Sequence, residues 1–86
     1  MKTITIPQRF TYTSLPWFKR QYDKGSTERY ILDFRQCTYI DSSALGMMLM
    51  MRSALKSKVT IKNVPNNVMA ILKVANFQLL FRNEEP

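Results

Sequence analysis

The stretch Ala44-Leu45-Gly46-Met47-Met48-Leu49-Met50-Met51 constrains the fold more than any other part of this chain. Ala, Leu and Met are strong helix formers, and the run continues as Arg52-Ser53-Ala54-Leu55-Lys56 behind a carboxylate cap, Asp41-Ser42-Ser43. The apolar run is far below the roughly 18 to 20 residues needed to span a bilayer, so its hydrophobic side has to be buried against other parts of a globular domain. What flanks it says which parts. Tyr30-Ile31-Leu32-Asp33-Phe34 and Val59-Thr60-Ile61 are compact β-branched and aromatic runs that read as buried strands. Thr3-Ile4-Thr5-Ile6 alternates polar with apolar and stops at Pro7, as a strand with one buried face does.

The remaining elements are shorter. Phe10-Thr11-Tyr12-Thr13 offers another strand. Ser14 is placed to cap a helix through Leu15-Pro16-Trp17-Phe18, with Pro16 in its first turn and Lys24-Gly25-Ser26 as the exit. A further helix is predicted to begin near Pro65, with Asn63 as its cap, Val68, Ile71, Leu72 and Ala75 at helical spacing, and Asn76 as its end. Leu79-Leu80-Phe81 reads as a last short strand or a packed tail, and Asn83 to Pro86 is expected to fray. Alternation of strands and helices predicts an α/β layer with parallel pairing, and 86 residues predict one domain, 1–86.

Composition removes several functions. Without a histidine there is no His general base, Ser-His triad or His metal site. Cys37 alone makes neither a disulfide nor a thiolate zinc site, and two glycines, Gly25 and Gly46, do not build a glycine-rich phosphate loop. The expectation is a protein without enzymatic activity, cofactor or metal. With a single cysteine and no signal-like N-terminal segment, the expected location is a reducing cytoplasm, with no membrane insertion. Thirteen Lys and Arg against six Asp and Glu give +7, but the basic residues are dispersed along the sequence and form no recognised motif, so no direct nucleic-acid partner is predicted.

At about 100° per residue, Ala44, Met47, Met48, Met51, Ala54 and Leu55 fall on one side of the central helix. Arg52 and Lys56 mark the solvent side, which they share with Ser42, Leu45, Leu49 and Ser53, while Ser43 is expected to turn toward the buried side. Two readings follow. Isolated exposed leucines are ordinary, and Ser42 can be simply a first-turn residue behind its cap. Alternatively, Leu45, Leu49, Arg52 and Ser53 form a partner-binding surface beside a hydroxyl whose phosphorylation disrupts it.

Tyr30 to Phe34, the short bridge, and Tyr39-Ile40-Asp41-Ser42-Ser43-Ala44-Leu45-Gly46 followed by an apolar helix resemble the STAS domain family. Its members carry a strand ending in aspartate, then an Asp-Ser-Ser/Thr-Gly-Leu-Gly motif leading into a helix. The likeness extends through Val59 to Pro65 and on to Phe81, and Ala44 stands where antagonists of this family usually carry glycine. The resemblance implies a small mixed β-sheet of about four strands covered by α-helices. It further implies a bacterial anti-sigma factor antagonist, a regulator of transcription in which Ser42 is the phosphorylation site, supported by Asp41 and Ser43. The partners implied are an anti-sigma factor that is itself a serine kinase and a serine phosphatase that restores the serine. The alternative is an unphosphorylated STAS subunit of a lipid-transporting ABC complex that binds its ATPase.

Overall fold

Six short strands and three helices alternate along the chain in a computed structural model that describes residues 1–84. They are β1 (Lys2–Thr5), β2 (Arg9–Phe10), α1 (Leu15–Lys19), β3 (Tyr30–Asp33), β4 (Tyr39–Ile40), α2 (Ser42–Leu55), β5 (Val59–Lys62), α3 (Asn66–Val74) and β6 (Arg82–Glu84). Single 3₁₀ turns at Tyr12–Ser14, Lys56–Lys58 and Phe77–Leu79 join some of them.

The main sheet has the order β1-β3-β5-β6, with Lys2 opposite Tyr30, Tyr30 opposite Val59, and Thr60 opposite Arg82. A two-stranded extension pairs Arg9 with Tyr39 and Phe10 with Ile40. Every ladder among the described residues is parallel, as strand–helix alternation requires, where the family resemblance allowed for a mixed sheet. The central strand β3 is buried along its whole length, which is why its sequence is apolar without alternation. Ile4, Leu32, Val59 and Ile61 point into the core, where they meet Ala44, Met47, Met48, Met51 and Leu55 of α2, and Val68 and Leu72 of α3. The core face read for α2 is therefore the observed one, with Ala54 half-buried at its edge.

Four local expectations are corrected. Phe10 to Thr13 is not one strand: β2 is only Arg9–Phe10, and Tyr12–Ser14 turns into α1, held by Thr11 N–H donating to Ser14 Oγ at 3.4 Å. Helix α1 ends at Lys19, well before Gly25. Asn63 does not cap α3. It occupies the left-handed region at φ 56°, which Asn tolerates, and its amide donates to Asp33 Oδ1 at 3.2 Å, while extended Pro65 is the cap residue. Finally, Asn83 and Glu84 do not fray but pair with β5 as β6, and Thr60 Oγ1 donates to Glu84 at 3.2 Å. Phe81 is the buried anchor just before that strand, stacked on Phe77 at 5.8 Å. Glu85 and Pro86 lie outside the described residues.

Candidate functional site

The motif aspartate fixes the site. Asp41 has extended backbone, its Oδ1 accepts Ala44 N–H at 3.0 Å, and its Oδ2 accepts Tyr12 N–H at 3.3 Å. One carboxylate therefore caps α2 and ties its start to the turn before α1, answering donors that a helix start and a tight turn would leave open. Ser42 and Ser43 are the first two residues of α2, and both are exposed.

Ser42 stands where the projection puts it, on a solvent-facing strip with Gly46, Leu49 and Ser53. Leu49 is 43 % exposed. Ser43 is a correction: it does not turn into the sheet. It borders an open, apolar hollow of about 360 Å³ between the Tyr12 turn with α1 and the first half of α2, lined also by Tyr12, Leu15, Gly46, Met47 and Met50. One step of about 100° from Ser42 carries Ser43 to the flank of the helix rather than to its sheet-facing centre, and that flank is left open because the short α1 does not cover it.

Two other expected contact residues behave differently from Leu49 and Ser53. Leu45 is half-buried against the core. Arg52 is half-buried as well, and its Nε donates to the Leu80 carbonyl at 2.8 Å, so it holds the chain that leads into β6. Met50, 45 % exposed, and Tyr12, 70 % exposed, belong to this surface and were not singled out from the sequence. Met50 was within reach of the projection, which sets it beside Ser43, seven residues earlier. Tyr12 was not, because only the Asp41 bond brings its turn to α2.

Ser42, Ser43, Gly46, Leu49, Met50 and Ser53 are all uncharged and exposed, and half-buried Arg52 borders them. A β-carbon added to Gly46 meets nothing within 4 Å, so the glycine opens space on the outside of the helix rather than relieving a contact inside. Asp33, at the end of β3, is buried and structural: it accepts from Arg35 N–H at 3.0 Å and from Asn63, with Arg35 Nε 3.5 Å away. Cys37 is buried, and burial pushes its thiol above the ordinary range, which disfavours the nucleophilic thiolate. No group of three His, Cys, Asp or Glu side chains assembles among the described residues, and none of the helices there is long and apolar enough to cross a membrane.

These residues make a parallel α/β domain that presents the capped start of an apolar helix, with two exposed serines at that start. The family described as "Mlab, STAS domain" matches residues 3–81. A STAS-domain containing protein of Pseudomonas aeruginosa (strain UCBPP-PA14) is 35% identical over 85 residues, covering 93% of this chain and 84% of that protein. The chain belongs to the STAS domain family.

Proposed function

We propose that this protein is a regulator of the anti-sigma factor antagonist kind, which binds an anti-sigma factor with serine-kinase activity through the exposed strip of α2 and is switched at Ser42. The observation that carries this reading is the position of Ser42: exposed, first in α2, directly behind the Asp41 cap and alongside the uncharged strip of Gly46, Leu49 and Ser53. An uncharged surface is one that a partner can bury cheaply, and a phosphate of about −1.5 to −2 charge is what makes burial costly. The kinase transfers the terminal phosphoryl of its nucleotide to Ser42 Oγ, the hydroxyl proton leaves, and the nucleoside diphosphate is released. A serine phosphatase hydrolyses the ester and restores binding. The free N–H groups and dipole of the α2 start favour negative charge, so the modified domain stays folded.

Affinity capture from native lysate with wild type, Ser42→Ala and Ser42→Asp tests this. A serine-kinase anti-sigma factor retained by the first two and lost by the third is the expected result. An ABC ATPase retained equally by all three would instead identify a constitutive transporter subunit.

A further inference from the structure

Folding gathers six of the thirteen basic residues at one end of the sheet. All strands of the main sheet run the same way, so their N-terminal ends share one edge. Helices α2 and α3 run back across the sheet and deliver the chain to that same edge, α2 through the Lys56–Lys58 turn into β5 and α3 through Phe77–Leu79 into β6. Lys2, Arg29, Lys56, Lys58, Lys73 and Arg82 are thereby collected at one pole of the molecule, exposed except for half-buried Lys58. None of the six has an ion pair among the described residues. Among the described residues the carboxylates at this end are Glu28, 3.5 Å from the Met1 ammonium, and Asp23, whose Oδ1 accepts Gly25 N–H. At the opposite end, where Ser42 lies, the described residues Arg9, Arg35 and Lys62 are matched in number by Asp33, Asp41 and Glu84.

The basic pole also carries aliphatic side chains with little cover. Val74, the last residue of α3, is 87 % exposed, and Leu79, in the turn before β6, is 76 % exposed. Both are more open than Leu49 or Met50 at the candidate site. Exposed aliphatics taken singly are ordinary. Val74 follows Lys73 in α3 and Leu79 comes three residues before Arg82, so this pole offers cations that attract anions together with short apolar groups that gain at a boundary with hydrocarbon. A nucleic acid meets the first requirement with its phosphates, but takes up aliphatic side chains only by unstacking base steps, a cost that a lipid boundary does not impose.

From this pole we infer a second binding surface, one that docks peripherally on an anionic lipid membrane, without insertion of any helix. It lies at the far end of the sheet from Ser42, so a membrane-docked molecule keeps the α2 start directed away from the lipid and open to a protein partner. The inference is independent of phosphorylation.

Flotation of the full chain with lipid vesicles tests it. Vesicles of phosphatidylcholine with about one-third phosphatidylglycerol should carry the protein, and pure phosphatidylcholine should not. Raising salt from about 0.05 to 0.3 M should weaken the binding several-fold, because exposed charges are screened. Lys73→Glu with Arg82→Glu should weaken it at least about tenfold. Val74→Ser with Leu79→Ser leaves the charge unchanged and should weaken it about threefold or more, which simple electrostatic adsorption does not predict. All four positions are exposed, and circular dichroism verifies that each variant is folded. No flotation with anionic vesicles, or equal flotation with neutral ones, overturns the inference. So does binding to duplex DNA that is tighter than to anionic vesicles and indifferent to Val74→Ser with Leu79→Ser.

Discussion

Asp41 links two segments that are far apart in sequence, and its substitution separates helix capping from partner recognition. Removing an N-cap carboxylate costs about 1 kcal/mol, and here the same change leaves Tyr12 N–H without its acceptor as well. Asp41→Ala is therefore expected to lower stability by about 1 to 2 kcal/mol in urea unfolding, with Asp41→Asn recovering at least half. A loss below a few tenths of a kcal/mol would mean that water replaces the cap. One residue on, the chemistry depends on which hydroxyl the kinase reaches. Both serines are exposed, so burial does not choose between them. Ser42 shares the strip of Gly46, Leu49 and Ser53, whereas Ser43 looks over the hollow beside Tyr12 and Met50. Phosphopeptide mapping after treatment with the cognate kinase should find label on Ser42, with Ser43→Ala still labelled and Ser42→Ala unlabelled. Label on Ser43 alone would move the switch to the hollow. Cys37 has a different pH signature. Its thiol is pushed up by burial, so the unfolded chain loses that proton near pH 8.5 while the folded chain keeps it to higher pH. Between those two values the unfolded state binds fewer protons, so stability should be unaffected by this group below about pH 8.5 and fall as pH rises above it. Melts of wild type and Cys37→Ala across pH 7 to 10 check this, the variant being expected to show the shallower decline.

At the scale of elements, α2 carries both the core and the candidate site, and Gly46 is the position where the two demands separate. Glycine inside a helix costs roughly 0.8 to 1 kcal/mol relative to alanine, and an added methyl here meets open space. Gly46→Ala should raise stability by about that amount. If the strip beside Ser42 is the partner surface, the same methyl should reduce partner affinity, giving a variant that is more stable and binds less well. More stable with unchanged affinity would place the contact elsewhere. Much of this helix was legible from sequence: the Asp41 cap follows from its residue type, and the buried Met47, Met48 and Met51 and the exposed Ser42, Leu49 and Ser53 follow from one angle per residue. Where tertiary contacts decide, the reading failed. Arg52 projects toward solvent on an isolated helix, but the returning chain supplies the Leu80 carbonyl and draws it in. Asn63 has the composition of a cap, yet the turn after β5 uses it in the left-handed region as a partner for Asp33. Strand β6 carries no apolar alternation of its own, only Arg82-Asn83-Glu84, and is defined by the parallel edge that β5 offers it. Strand β4 likewise exists through its pairing with β2.

For the whole molecule, parallel strands with returning helices turn a sequence with evenly scattered charge into a body with one basic pole. The chain has a formal charge of +7, and its described ion pairs are those of Asp33 with Arg35 and Glu28 with the Met1 ammonium. Each pair has an exposed cationic partner at 3.5 Å, an arrangement that contributes at most about 1 kcal/mol, so the loss to screening is small. Repulsion among Lys2, Arg29, Lys56, Lys58, Lys73 and Arg82 has the opposite sign and is present only when folding brings these groups together, since they are widely separated in the extended chain. Screening then relieves more repulsion than attraction. The thermal midpoint is therefore expected to rise as sodium chloride goes from about 0.02 to 0.2 M, where the screening length shrinks from roughly 20 to 7 Å. Lys73→Glu with Arg82→Glu should raise the midpoint at low salt and flatten its salt dependence, because the two changes remove cations from the pole and add carboxylates to it. The Ser42 end, where three basic and three acidic side chains balance among the described residues, predicts no such response, and Arg9→Gln should leave the salt slope within error of wild type. A midpoint that falls with salt in the wild type would mean that favourable pairs outweigh repulsion, and the basic pole would then not be the dominant electrostatic feature of the fold.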